Sequence, residues 1–232
     1  SDNNEFIFYY NYTGQTPGGW QVGGWGLLNA PVSLGAWGGA MPSQNLVDEF
    51  EMKDGKMYTE SALYDPNNPY NNRDPRFEAS IYHQGSTFKG VPFEFFVGGK
   101  DYNVNGFTTS GYFIRKGIDE NIPDYYFNGG ASINQYDPLL RYADVLLMYA
   151  EAINETGDVE EARNYVDQVR SRPGVNMPDL PTGLSQDQMR EQIRHERHVE
   201  LNLEESRFHD VRRWGIAVQE SVGPVSGEKI IK

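Results

Sequence analysis

Charged side chains are concentrated between Ile193 and Trp214, in a stretch that reads IRHERHVELNLEESRFHDVRRW. Arginines and acidic residues recur there at spacings of three and four, so on a helix they occupy overlapping faces, including the face that packs inward. A buried helix tolerates such charges only when each one is paired. We therefore predict salt bridges within and between helices, rather than a catalytic or anion-binding site, for nine charges: Arg194, Glu196, Arg197, Glu200, Glu204, Arg207, Asp210, Arg212 and Arg213.

The charge balance and the cysteine count exclude several classes of function. With 20 Lys and Arg against 33 Asp and Glu, the formal net charge of the 232 residues is −13. An acidic chain lacks the basic surface that nucleic acid requires, and it is not drawn to anionic lipid. The absence of cysteine rules out disulfides and thiolate metal sites. The most apolar run, residues 145–150, is too short to span a membrane. We predict neither a nucleic-acid partner nor a cofactor or metal.

Composition changes near Pro138. Residues 1–137 hold most of the 25 glycines and are rich in aromatic residues, a composition that favours loops and short strands. A short helix is predicted at Gln44–Phe50, with Ser43 as its N-cap. The candidate strands are Glu5–Tyr10, Phe77–Tyr82, Val91–Val97 and Gly111–Lys116.

The second half of the chain has the patterns of helices. A wide apolar face predicts a buried helix over Leu139–Thr156. Gly157 suits its C-terminal cap, and Asp158 with Glu161 forms a capping-box pattern that begins a second helix, which ends near Arg172. Ser185 with Gln188 repeats the pattern for a third helix, which reaches about Glu204, and a fourth covers roughly Ser206–Ser221. Small residues and the Gly157 turn give the first pair the character of a tetratricopeptide hairpin.

Two further motifs stand beside the charged stretch: RYADVLLMYAEA at 141–152 and NRDPRF at 72–77. Together the three resemble motifs of the SusD/RagB family of outer-membrane nutrient-binding lipoproteins. Met41-Pro42-Ser43 and Gly111-Tyr112 add weaker matches in the expected order. The family pattern EL-x-x-EG-x-R-x-x-D-x-R-R-W has glycine where Glu205 stands here, and His209 replaces a more usual aromatic residue.

The resemblance implies a mainly α fold of SusD type, with tetratricopeptide-type hairpins, an irregular loop-rich region and short strands. It also implies a surface lipoprotein, held to the outer membrane by a lipid anchor outside this fragment, that binds an oligosaccharide and delivers it to a SusC-like TonB-dependent transporter. We expect residues 1–137 to include the ligand-binding part and residues 138–232 to be the helical signature region. On this interpretation the chain is one fold that lacks its N-terminal half and C-terminal tail.

The aromatic residues of the glycine-rich segment are the candidate ligand contacts. A flat aromatic ring covers the apolar face of a sugar, while amides and hydroxyls pair with its polar rim. The competing interpretation is that these rings pack a small, loop-rich core. Asn29 is a further polar neighbour in the same segment. The predicted ligand-binding residues are Trp20, Trp25, Trp37, Tyr12 and Gln21.

The sequence leaves several further functions open. His195 and His198, with Glu191, have a spacing that could form a metal face, but solvated surface histidines are the preferred interpretation. The segment from Asp65 to Asn72 is faintly similar to a calcium loop, although its prolines favour an ordinary turn-rich loop. A glycoside hydrolase would need two carboxylates across a cleft, for which Asp48, Glu49, Glu51 and Asp54 are the clustered candidates. The sequence is also compatible with a peptide-binding member of the family and with a purely structural role for this fragment.

Overall fold

The computed structural model describes residues 4–11, 24–102, 110–121, 136–228 and 230–231. Within them the chain is mainly helical, with short strands that pair two by two as β1 with β6, β2 with β5 and β3 with β4. This confirms the predicted fold class. The elements in chain order are β1 (Phe6–Asn11), α1 (Gly24–Asn29), a 3-10 turn (Val32–Leu34), α2 (Gln44–Glu49), α3 (Pro75–Ser80), β2 (Ile81–Tyr82), β3 (Thr87–Phe88), β4 (Val91–Pro92), β5 (Phe113–Ile114), β6 (Tyr136–Arg141), α4 (Tyr142–Thr156), α5 (Val159–Arg170), α6 (Gln186–Glu200), α7 (Ser206–Arg213) and α8 (Ala217–Ser221).

The chain forms two compact units, each built from separate stretches of sequence. We call the first the helical unit; it comprises Ser1–Tyr9, Asp48–Phe77 and Pro138–Gly223. The second, which we call the loop unit, comprises Tyr10–Val47, Glu78–Asp137 and Pro224–Lys232. The predicted boundary at residue 137 separates functional regions rather than packing units, and it stays a prediction.

The centre of the helical unit is the α4–α5 hairpin with α6 packed against it. Gly157 ends α4 at φ 97°, a left-handed conformation that glycine adopts without strain. The Asp158 side chain then accepts a hydrogen bond from the Glu161 N–H and begins α5, as predicted. Ala150 and Ala162 are fully buried in the core that the three helices share, so small side chains do permit a close approach. α6 begins with the predicted capping box of Ser185 and Gln188.

Several of the predicted elements have different bounds or a different type. The third helix ends at Glu200 rather than near Glu204, and the segment Gly111–Lys116 contributes only the two residues of β5. The segment Phe77–Tyr82 is mostly not a strand, because Asp74 and Pro75 start helix α3: the Asp74 carboxylate accepts the Arg76 N–H at 2.8 Å, and proline suits the first helical position. The helix predicted from Leu139 begins instead at Tyr142, since β6 extends to Arg141 and pairs with β1. The fourth helix is divided into α7 and α8 by Gly215, whose φ is 71°. The segment Val91–Val97 contributes only a two-residue strand.

Two buried carboxylates on α6 organise the ion pairs of the helical unit. Glu196 pairs with Arg76 and, at 2.9 Å, with Arg170. Glu200, one turn later, lies 3.1 Å from the guanidiniums of Arg76 and Arg141. The remaining pairs extend this network outward: Asp74 with Arg76, Glu51 with Arg170, Arg172 with Glu200, and Glu5 and Glu204 with Arg141.

A second network joins α4, α6 and α7. Arg197 bridges Asp144 at 2.8 Å and Asp210 at 2.9 Å. Arg213 pairs with Asp210 and with Glu151, which also accepts the indole N–H of Trp214. The prediction of salt bridges is thus confirmed: among the residues that the structure describes, each of the nine signature charges except Arg212 has an ion-pair partner. Arg212 instead donates to the Phe208 carbonyl, and its guanidinium lies over the Phe208 ring.

We expect Glu196→Gln to lower the free energy of unfolding by about 3 kcal/mol, because it leaves two buried guanidiniums without their shared counter-charge while preserving side-chain volume. Denaturant titration near neutral pH measures the change. The matched control is Glu191→Gln, which breaks an exposed pair with Arg194 and should cost less than about 1 kcal/mol. Equal effects of the two substitutions would show that the buried network is not a principal source of stability.

Candidate ligand-binding site

Trp37 is the predicted ligand residue whose side chain the structure describes, and it lies at the surface of the loop unit with 42% of its area exposed. It follows the 3-10 turn at Val32–Leu34 and stands between two glycines in left-handed conformations, Gly35 at φ 85° and Gly38 at φ 55°. The N–H of Gly38 donates to the carbonyl of Ala30 at 3.1 Å. The backbone on both sides of Trp37 is therefore fixed.

Glycine is required at the two positions after Trp37 because the backbone approaches its neighbours closely. A Cβ on Gly38 would lie 3.0 Å from the Phe113 ring, and one on Gly39 would lie 2.9 Å from the Leu28 carbonyl oxygen. Contacts this short leave no room for a side chain. The glycines that marked this segment as a loop in the sequence thus hold the loop of Trp37 against the rest of the unit.

Beneath this loop is a cluster of buried aromatic rings. Phe93 stacks on Phe95 with a centroid separation of 4.9 Å, Tyr82 meets Phe93 edge-on at 5.1 Å, and Phe95 lies 5.2 Å from Phe113. Val32, Leu34 and Met41, from the chain around Trp37, pack against this cluster. The packing makes a rigid support for an exposed ring, which is what a preformed binding surface needs.

Of the other predicted ligand residues, the structure describes only the backbone of Trp25. Trp25 belongs to α1, whose Leu28 carbonyl accepts the Gly39 N–H, so the structure brings its helix beside the loop of Trp37. The side chain of Trp25 is outside the described part of the structure, as are Tyr12, Trp20 and Gln21 in full. Asn29 is buried, so its amide does not form part of an exposed rim.

The sequence analysis did not identify the buried aromatic cluster, which consists of Tyr82, Phe93, Phe95 and Phe113. Tyr82 is held by its hydroxyl, which donates to Glu120 at 3.0 Å, and by the Arg115 guanidinium 5.3 Å from its ring centroid. Phe93 and Phe95 lie in the predicted strand Val91–Val97. Their spacing, with every second residue apolar, was the available signal that they face one side.

The clustered carboxylates considered for hydrolysis have structural partners. Glu51 pairs with Arg170 at 2.7 Å, and Asp54 accepts the Ser61 hydroxyl at 2.8 Å. The carboxylate of Glu49 lies 3.6 Å from His195 Nε2. In the described parts of the chain no group of three or more His, Asp or Glu side chains is arranged to hold a metal ion.

The interpretation of His195 and His198 as solvated surface residues is wrong. Each side chain is only 19% exposed, because α6 places both rings against Glu49. Burial, reinforced by the positive charge of Arg207, lowers the pKa of His198 to about 3.

The segment from Asp65 to Asn72 is a turn, as its prolines indicated. Asp65 accepts hydrogen bonds from the Asn67 N–H at 2.9 Å and from both the Asn67 and Asn68 amides. These bonds, with that of the Asn68 side chain the largest cause, lower the pKa of the Asp65 carboxyl. The carboxylate oxygens thus stabilise the turn.

The sequence profile of the SusD family matches residues 2–231. The chain belongs to the SusD family. It is 29% identical over 183 residues to SusD-like protein P2 of Formosa agariphila, an alignment that covers 76% of this chain and 31% of that protein. None of the helices in the described ranges has the length and apolar character needed to cross a bilayer.

Solved structures of Bacteroides fragilis proteins have the same fold. A SusD-like protein superimposes with a TM-score of 0.79 at 32% identity, covering 100% of this chain and 47% of its own. A SusD-like carbohydrate-binding protein superimposes with a TM-score of 0.72 at 30% identity, covering 94% and 43%. The chain thus spans less than half the length of both of these proteins.

We expect His198→Gln to reduce the loss of stability between neutral pH and about pH 5. The folded state keeps His198 neutral down to about pH 3, whereas the unfolded chain takes up a proton near pH 6.5. Stability from this residue is therefore present above pH 6.5 and is lost as the pH falls, by about 2 kcal/mol at pH 5. Urea titrations at the two pH values measure the difference.

The control for this substitution is His209→Gln, at an exposed position on α7. It leaves the carboxylates of both networks unchanged, so any acid sensitivity that they contribute is common to the two variants. An unchanged pH dependence in His198→Gln would show that His198 is not a source of the acid sensitivity.

Proposed function

We propose that this chain contributes to a cell-surface protein of the SusD family that binds an oligosaccharide without cleaving it. The observation that carries the proposal is the exposed Trp37 ring on a glycine-fixed loop above buried aromatic residues. Such a ring matches the apolar face of a pyranose, and because its support is rigid, little conformational entropy is lost on binding. Trp25, on the neighbouring helix α1, with Trp20, Tyr12 and Gln21, completes the proposed contact set.

Family membership supports the choice of ligand. One of the two similar Bacteroides fragilis structures is described as a carbohydrate-binding protein, and it covers nearly all of this chain. Delivery of the bound glycan to a SusC-like TonB-dependent transporter, and attachment to the outer membrane through a lipid anchor, are further parts of the proposal. They follow from the family resemblance and concern the whole protein, since this chain spans less than half the length of the similar Bacteroides fragilis proteins.

The engaged carboxylates support binding rather than hydrolysis. A glycosidase needs one carboxyl group that is protonated and one that is free to act as nucleophile or base. Glu51 instead faces Arg170, and Asp54 is held by Ser61. The pairing that stabilises these side chains would also oppose their use as acid or base.

We expect Trp37→Ala in the full-length protein to weaken oligosaccharide binding by about tenfold or more, because a truncated aromatic anchor removes both buried area and stacking. Isothermal titration calorimetry against oligosaccharides of plant, host and microbial origin measures affinity, and chromatography of each mixture shows whether the ligand stays intact. The control is Phe208→Ala, which removes a more exposed aromatic ring from α7 of the helical unit.

Three results would contradict the proposal in different ways. Equal affinities of the Trp37 variant and the wild type would remove Trp37 from the site. Cleaved ligand would replace binding with hydrolysis. Binding of peptides, with no response to any glycan, would move the protein to the peptide-binding class within the same family.

A further inference from the structure

A second aromatic surface lies in the helical unit, on a loop with closely tied ends. We call residues 56–72 the asparagine loop. The Met52 N–H donates to the Lys56 carbonyl at 2.8 Å, the Lys53 N–H donates to the Asn72 carbonyl at 2.7 Å, and Met52 forms an antiparallel bridge with Arg73. The two ends of the loop are therefore held together, and its side chains are presented on a fixed base.

The rings of this loop are linked to the core through Arg73. The guanidinium carbon of Arg73 lies 5.6 Å from the ring centroids of both Tyr58 and Phe77. Phe77 is buried, whereas Tyr58 is partly exposed and meets the ring of Tyr64 at a centroid distance of 5.2 Å and an interplanar angle of 58°. Tyr58 and Tyr64 thus form the outer end of a series of contacts that begins inside the protein.

The asparagine loop also carries exposed amides. The side-chain N–H groups of Asn67 and Asn68 donate to Asp65, which leaves the two amide oxygens as acceptors at exposed positions. Asn72, with φ 60°, donates to the Leu63 carbonyl. In the described part of the chain, the hydroxyls of Tyr58 and Tyr64 make no hydrogen bond. The loop therefore combines two partly exposed rings and their hydroxyls with two exposed amides.

We propose that Tyr58 and Tyr64, with the Asn67 and Asn68 amides, form a second saccharide-binding surface. Flat rings beside neutral amides and phenols match a sugar with few or no charges. The asparagine loop has two acidic side chains: Asp65 already accepts hydrogen bonds from Asn67 and Asn68, and Glu60 is exposed two residues after Tyr58. The choice of a saccharide rests on the proposed function, but the surface belongs to a different unit from Trp37 and is tested separately.

The test measures binding of neutral oligosaccharides of increasing length to the full-length protein by calorimetry, with Tyr64→Ala made alone and together with Trp37→Ala. Tyr64→Ala is expected to weaken binding by roughly tenfold at its own surface, and the double variant should lose the binding that Trp37→Ala retains. Tyr64→Phe should keep most of the affinity, since it preserves the ring. The Asn67→Ala, Asn68→Ala double substitution should lower affinity without removing the rings.

The control is Tyr149→Ala. Tyr149 is also an exposed tyrosine of the helical unit paired with another tyrosine, Tyr165 at 4.7 Å, but it lies on helix α4 rather than beside the asparagine loop. Denaturant titrations of all variants separate lost binding from lost folding, because a purely structural Tyr64 would lower stability and leave the affinity of the folded protein unchanged.

The outcomes distinguish the two proposals. Weaker binding in Tyr64→Ala with no effect of Trp37→Ala supports the second surface and overturns the Trp37 site. Weaker binding in Trp37→Ala with no effect of Tyr64→Ala overturns the second surface and leaves the proposed function intact. Equal losses in Tyr64→Ala and Tyr149→Ala, or no binding of any oligosaccharide by the wild type, would overturn the second surface.

Discussion

Glu196 and Glu200 are the two side chains on which the helical unit depends. Both are almost fully buried, where an unpaired carboxylate would be strongly unfavourable. Burial alone would raise the pKa of Glu196, but the charges of Arg76 and Arg170 outweigh it and the pKa is lowered. For Glu200 the same opposition is resolved by Arg172, Arg76 and Arg141. Since these arginines come from different parts of the sequence, α6 can be buried only when those parts are in place.

This requirement shows which features could be predicted from the sequence. Local signals were reliable: the capping box at Ser185 and the glycine that ends α4 act within one turn of the chain, and both were found where their residues indicated. The need for charge pairing in α6 was predictable from its spacing. The identities of its partners were not, because Arg76 and Glu196 are 120 residues apart and neither position specifies the other.

The elements that were predicted wrongly also depend on interactions between distant parts of the sequence. Leu139–Arg141 has a helical apolar pattern, but pairing of β6 with the distant strand β1 takes precedence. In the loop unit, Val91–Val97 was expected to be a strand, yet two of its central N–H groups donate to side chains rather than to a neighbouring strand. The Phe95 N–H donates to Gln84 Oε1 at 2.7 Å and the Glu94 N–H to Asp101 at 2.7 Å. Val32, Leu34 and Met41, near Trp37 in the chain, pack against the aromatic cluster built there. Trp37 could be proposed as a ligand contact from the sequence and stays a prediction, but the packing beside its loop could not be predicted because the rings come from separate segments.

The pairing of arginines with carboxylates affects which ligands the protein can bind. Although the protein contains many arginines, those of the helical unit networks pair with carboxylates, and Arg213 also lies over the Trp214 ring. If one of them were released to bind an anion, a buried carboxylate would lose its partner, and that loss exceeds the free energy gained from an exposed ion pair. With a net charge of −13, the surface as a whole also disfavours anionic ligands. The aromatic rings and amides of the two proposed surfaces therefore suit a neutral saccharide better than an anionic ligand.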